Sequence, residues 1–367
     1  MATAISGISG LTVAGIRALA TADIALTTAE ISSLTSVQIA AMSTAQVVAL
    51  NTTAISSLST SAINSFSVNQ IFALITAQIA ALTTQEVNVL KNTQVAALGT
   101  NQVSSLTTDQ VVALSTGQFS KLTTSQVAAM TTGQVASIES DDLLSLSSIQ
   151  IGALKTSQLN AISANDFSNL KASQIKGLST GQMAGLTTDQ VVAITTDQVK
   201  VLTTTQIAAL SSTQVVAMES EDLALLSTAQ FKSLSTSVIA NITTAQLANI
   251  STTQLTSLTS QQVSSLNTSQ IVGLSTNQFS QLTTAQILAL NTKQIASIET
   301  DDLVTLNSTQ IKLLTTAQVA AFNSSQLASL STQQVFSLGT NQIAALSTAA
   351  IIGLETNDLA VLTTDQI

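Results

Sequence analysis

The feature that most restricts what this chain can fold into is a period of eight residues. An apolar anchor recurs in uninterrupted steps of eight from Leu26 through Leu34, Met42, Leu50, Leu58 and Phe66 to Leu346, Leu354 and Leu362, and every copy is Leu, Ile, Met or Phe. Five residues after each anchor stands a second apolar residue, from Ile31, Ile39 and Val47 to Ile351, Leu359 and Ile367. A Gln precedes it in most repeats, as at Gln38, Gln110, Gln190, Gln270 and Gln334. The unit reads L-[ST]-[ST]-x-Q-[VIL]-x-[AS]. Before Leu26 the pattern continues as Leu11 with Ile16 and Leu19 with Ile24, although the step from Leu19 to Leu26 is seven. Residues 1–25 are thus irregular N-terminal repeats, and residues 26–367 form one continuous octad-repeat domain.

Two backbones compete for this pattern. A strand sets inward residues two apart, whereas here the apolar sites fall at offsets of zero, five and eight. One long helix turns by roughly 100° per residue, so its apolar stripe would drift by about 80° with each octad and keep no single buried face. Short helices, one per repeat, fit better, because [ST]-x-x-Q is the capping-box pattern. The Ser or Thr oxygen accepts from a backbone N–H that has no partner inside the helix, and the Gln three residues later reaches back to the cap's own N–H. In residues 186–194, LTTDQVVAL, Thr187 is the expected cap and Gln190 its partner, with Leu186 and Val191 as a hydrophobic staple. The expectation is an all-α solenoid of very short capped helices. A β-solenoid is the alternative, since Val, Ile and Thr favour strands.

A helix of about six residues is far below the ~12–15 at which isolated helices become marginally stable. Stability must come from stacking neighbours, as in other solenoids. Ala, Ser and Gly at the eighth position would let the stacked backbones approach closely.

The residues that are missing narrow the chemistry. The chain has no His, Cys, Trp, Tyr or Pro among its 367 residues, so it has no imidazole base, thiolate, disulfide or ordinary zinc, haem or iron–sulfur ligand set. Ser and Thr abound, yet none has a plausible base beside it, and caps and turns account for them. An enzyme is not expected, nor is a cofactor. Only 8% of residues are charged and the net charge is −9, which provides no basic stripe for a phosphate backbone and makes nucleic acid an unexpected partner. The mean hydropathy is +0.44, but polar residues interrupt every apolar run well short of the ~20 that a spanning helix needs. Arg17 follows the first apolar stretch, the reverse of a secretory signal's order. Either the chain stays in the cytoplasm, or it is exported without a cleaved N-terminal signal.

Four repeats are acidic: Glu139-Ser-Asp141-Asp142, Glu219-Ser-Glu221-Asp222, Glu299-Thr-Asp301-Asp302 and Glu355-Thr-Asn-Asp358. In one reading the acids replace the cap and the Gln and favour the positive end of a short helix. In the other, Glu139, Asp141, Asp142, Glu219, Glu221, Asp222, Glu299, Asp301 and Asp302 provide oxygen ligands for Ca²⁺, within one chain or between chains. The first three acidic repeats are spaced ten octads apart, which points to block duplication or to a superhelix that aligns them on one side. The STGQFSKL stretch at Phe119 and the STNQFSQL stretch at Phe279 fit the duplication.

The LTTxQ(V/I)xAL octads, as in residues 106–114 and 202–210, resemble the low-complexity repeats of large bacterial surface and secreted proteins of adhesin-like and surface-layer-like kind. The resemblance covers essentially the whole chain. It implies an extracellular structural role and carries no catalytic residue with it. The expected function is self-assembly into a filament, sheath or surface layer, with open apolar ends stacking head to tail unless the chain is part of a longer array. The alternative is a spacer or binding module that presents a regular Ser/Thr surface to a glycan, ice or a partner protein.

Overall fold

A computed structural model describes residues 10–24 and 28–367. The anchor Leu26 and the seven-residue step that ends on it therefore fall outside the described residues. Among those that are described, the chain forms forty-three α-helices, from α1 (Val13–Ala18) to α43 (Thr356–Val361), a single 3-10 turn at Thr21–Asp23, and no strand. One helix per octad is the all-α architecture that the cap pattern predicts. Each helix has four to six residues, as in α13 (Thr116–Phe119) and α14 (Thr124–Ala129).

The local cause is the same in repeat after repeat. At α14 the Thr123 Oγ1 accepts from the Gln126 N–H at 3.2 Å, and the Thr123 N–H donates to Gln126 Oε1 at 2.7 Å. Thr187 and Gln190 form the same reciprocal pair at 3.2 and 3.3 Å. Where the cap is Ile75, Lys91 or Gly99, no side-chain oxygen is available and only the return bond to the Gln survives, at 3.0, 2.6 and 2.7 Å. A second bond ends each helix: the anchor N–H donates to the second apolar residue's carbonyl, as Leu50 does to Val47 at 3.2 Å. The very next residue is then already extended as the following cap, as Asn51 is after Leu50.

The chain falls into two compact units, Met1–Leu186 and Thr187–Ile367. Within each, every helix stacks on the one three repeats further on. In the first unit α8 (Thr76–Ala80) packs on α11 (Thr100–Ser105), which packs on α14; in the second α27 (Thr228–Lys232) packs on α30 (Thr252–Ser257). Three octads make one turn, and the helices form three columns around a central core. Anchors and second apolar residues fill that core: Val127, Phe119, Phe231 and Phe279 have no exposed surface, and Leu122 and Leu234 very little.

Stacked helices approach closely at the seventh and eighth positions of the octad. A Cβ added to Gly177 would lie 2.8 Å from the Ser148 carbonyl, and one added to Gly152 would lie 2.8 Å from the Gly177 carbonyl. At these two positions glycine is needed for close approach, since no positive φ is involved. Asparagines bind the columns from outside: Asn64 and Asn88 donate their amides at 2.9 Å to the carbonyls of Val89 and Ala113, each 25 residues on.

Candidate functional site: the inter-turn glutamine ladder and its acidic interruptions

The Gln that closes each capping box also has a long-range partner. Gln126 sends its amide Nε2 to the carbonyls of Val95 and Leu98, 31 and 28 residues earlier, both at 2.8 Å. Gln70 reaches Ile39 and Met42, Gln270 reaches Ile239 and Ile242, and Gln326 reaches Ile295 and Ile298 in the same way. These carbonyls belong to the end of a helix in the preceding layer: the second apolar residue's carbonyl already accepts from the anchor N–H, and the anchor's own carbonyl lies beyond the helix's backbone donors. One buried amide thus caps the N-terminus of its own helix with its oxygen and the C-terminus of another helix with its nitrogen. Both roles are fixed at once, so the ladder sets the spacing of turns as well as the start of each helix.

Acidic residues interrupt the ladder. Asp142, Asp222 and Asp302 occupy the Gln position of α16 (Ser140–Ser145), α26 (Ser220–Ala224) and α36 (Thr300–Leu303), and all three are buried. Their companions Asp141, Glu221 and Asp301 face solvent, as do the cap residues Glu139, Glu219 and Glu299. Each acidic triplet is therefore divided between core and surface, and among the described residues no group of three or more acidic side chains is placed to hold a metal ion. The acids stand at the cap and the Gln position as expected, but the side chains of Glu139, Glu219 and Glu299 make no cap hydrogen bond. Glutamate is one methylene too long to curl back on N2 or N3 as Ser, Asp and Asn do.

Nor do the acidic repeats share one side. Ten octads are not a whole number of three-octad turns, so α26 and α36 belong to different columns of the second unit, with α26 stacked on α29 (Thr244–Asn249) and α36 on α33 (Thr276–Ser280).

A carboxylate in this position loses the amide donor and gains a charge in the core. Burial first, then the charges of Glu139 and Asp141, push the Asp142 carboxyl up from its ordinary 3.8 to about 6. Asp222 is raised for the same reasons, with Glu219 and Glu221 as the neighbours, and its Oδ1 is buried without a partner. Asp302 is raised by burial against the opposing effect of a Thr276 hydroxyl bond. An acid whose pKa is higher folded than unfolded favours folding while it is protonated and loses that contribution as pH rises through the folded value. The melting temperature of the protein is accordingly expected to fall between about pH 4 and pH 7. In Asp142→Asn that fall should be smaller, as read by circular dichroism melts across the range; equal slopes in the two proteins would contradict the assignment.

Asp358 and Glu86 are further buried acids at the Gln position, and sequence reading passed over Glu86. It stands alone in TTQEV, where the Gln has moved one place forward to Gln85, and a lone Glu in the Gln column was the available signal.

Outside the ladder, the columns differ in their exposed residues. Val48 of α4 (Thr44–Ala49) and Phe72 of α7 (Val68–Ala73) lie on stacked helices, and Phe72 is 65% exposed. Phe72 and Ile75 border an open groove of about 630 Å³ with Thr76, Gly99 and Asn101. Val192 of α22 (Thr188–Val192) and Val216 of α25 (Ser212–Ala217) form an equivalent exposed pair in the second unit.

The repeat that produces this ladder has a match. The ALTTAQ repeat aligns with residues 16–52, 85–116, 135–171, 161–196, 215–249, 239–276, 295–332 and 335–367. The chain belongs to the ALTTAQ repeat family. Each match spans about four octads, a little more than one turn of the stack, so the ALTTAQ unit holds one complete set of ladder contacts. Among curated proteins none matches the chain in sequence. Among the described residues, no helix of this ALTTAQ protein is long and apolar enough to cross a membrane.

Proposed function

We propose that this ALTTAQ-repeat chain is a structural, self-associating protein, exported to the cell surface or beyond, where it contributes to a filament, sheath or surface layer. The observation that carries this reading is the ladder itself: the same buried contact, with the same partners, recurs turn after turn in both units. Such an interface is quasi-one-dimensional and can be repeated without limit. Ladder residues are consumed by stacking and offer no convergent chemistry. The exposed Val48–Phe72 and Val192–Val216 pairs add apolar surface through which copies would associate side by side.

The test is sedimentation and negative-stain microscopy of the purified chain at several concentrations, with and without millimolar Ca²⁺. Fibres or sheets that grow with concentration are the expected result, and monodisperse particles at every concentration would overturn it. A second reading, a binding module, is favoured by the groove beside Phe72, whose exposed ring and flanking Thr76 and Asn101 offer stacking and polar contacts to a sugar. Retention of the chain on immobilised polysaccharide, lost in Phe72→Ser, would favour this reading over assembly.

A further inference from the structure

Glu86 is 2% exposed, one of the most completely buried carboxyls in the described chain. Its Oε2 accepts from the Thr83 N–H at 2.6 Å and its own N–H donates to Thr83 Oγ1 at 3.2 Å, so α9 (Thr84–Asn88) keeps a complete capping box. Its Oε1 is buried with no hydrogen-bond partner. The ladder rungs on either side show what belongs there. Gln78 donates Nε2 to Val47 and Leu50 at 3.0 and 2.7 Å, and Gln94 donates to Ile63 and Phe66 at 3.2 and 2.8 Å. At the same offsets, Glu86 Oε1 takes the place of a donor towards the carbonyls of Ile55 and Leu58, at the end of α5 (Thr52–Ile55). An ionised carboxylate presents only acceptors. A protonated carboxyl has the size and shape of the glutamine amide and restores one donor.

We infer that Glu86 is a proton-dependent latch between turns: protonated, its carboxyl donates to the carbonyl of Leu58 or Ile55 and closes the ladder; ionised, it sets an unpaired charge against those carbonyls and loosens α9 from the preceding layer.

The surroundings offer the charge no compensation. Of the helices stacked on α9, α6 (Thr60–Ser65) has no charged residue and α12 (Thr108–Val112) has only Asp109, which is exposed and of the same sign. Neither α5, α8 nor α10 (Asn92–Ala96) carries a charge, and Lys91, the cap of α10, is exposed. Burial is the largest influence on the Glu86 carboxyl and raises its pKa, against the lowering effect of the Thr83 bonds.

The experiment uses the full chain, its Glu86→Gln variant and the converse variant Gln78→Glu. Hydrogen exchange of residues 52–60 and 83–90 is followed between pH 5 and pH 8 and corrected for intrinsic rates. The wild type should lose protection in these segments several-fold as the pH rises, since the ionised carboxylate leaves the donor position against the Ile55 and Leu58 carbonyls unfilled. Glu86→Gln carries the residue found on the neighbouring rungs, so it should fold and show flat protection. Gln78→Glu should acquire a pH-dependent loss around residues 47–50. In parallel, the carboxyl ¹³C signal that Glu86→Gln removes should titrate above the ordinary glutamate value. Equal pH profiles in wild type and Glu86→Gln, or an ordinary titration of that signal, would overturn the latch.

Discussion

Replacing Gln126 by Leu is expected to destabilise the first unit by about 2–5 kcal/mol, although the new side chain is more apolar and nearly the same size. Gln126 is 2% exposed and makes bonds in two directions. Its removal strands the Thr123 N–H, which donates to Oε1 at 2.7 Å, and the Leu98 carbonyl, which receives Nε2 at 2.8 Å. The Val95 carbonyl is less affected, because it still accepts from the Leu98 N–H at 3.2 Å. A buried polar group left without a partner costs roughly 1–3 kcal/mol, about 2–6 kcal/mol for two groups before any offset. Extra apolar burial offsets only part of this, because the Gln methylenes already lie in the core. Urea unfolding followed by circular dichroism measures the loss, as the chain has no Trp or Tyr for fluorescence. Gln126→Glu separates charge from geometry: it should be nearly as damaging at pH 8 and much less so near pH 5, where the carboxyl can donate. A Leu variant as stable as wild type would mean that the amide ladder contributes nothing to stacking.

The second large effect is expected at Phe231. Its ring has no exposed surface, and it lies in α27, which stacks on α24 (Thr204–Ala208) below and on α30 above. Most second apolar sites hold Val or Ile, so a Phe fills extra core volume at this level. Phe231→Ala should cost about 3–5 kcal/mol through lost transfer energy and the cavity that remains. Phe231→Ile keeps the residue type of neighbouring layers and should cost about 1–2 kcal/mol. Because each layer touches only those beside it, the loss should be local. Hydrogen exchange in the Ala variant should speed up in α24, α27 and α30 and stay unchanged in the first unit. Faster exchange along the whole chain would show instead that the array unfolds as one block.

Gln126 has two tasks, and only one of them was legible beforehand. For Gln126 the local task, closing a capping box with Thr123, depends on residues three apart and could be read from the pattern. Its inter-turn task could not. Glu86 shows the consequence: in sequence it is a conservative capping-box variant, since Glu serves as well as Gln at that position. Only the stacked fold reveals that the other end of the side chain must be a donor. The acidic triplets show a related limit. Their spacing in sequence suggests a shared site, but a helix turns about 100° per residue, which sends Asp142 into the core and Glu139 and Asp141 to the surface. The alignment on one side failed because the number of repeats per turn was unknown.

The sequence by itself determined that this protein is helical, that a helix starts at each Ser/Thr cap, that none outlasts its octad, and that the two apolar sites face inward. These properties are local: caps, staples and helical periodicity act over three to five residues and recur in every repeat. The tertiary structure alone decided that three octads make a turn, that each Gln amide caps the carbonyls 31 and 28 residues earlier, and that a carboxyl in that place becomes a proton-sensitive fault. The turn count depends on the extended connector between helices, where the anchor's ψ ranges from 129° at Ile298 to 148° at Met130 among repeats with the same pattern. Small dihedral differences of that size leave each octad's own hydrogen bonds intact. They are selected only when the next layer is in place to accept the glutamine.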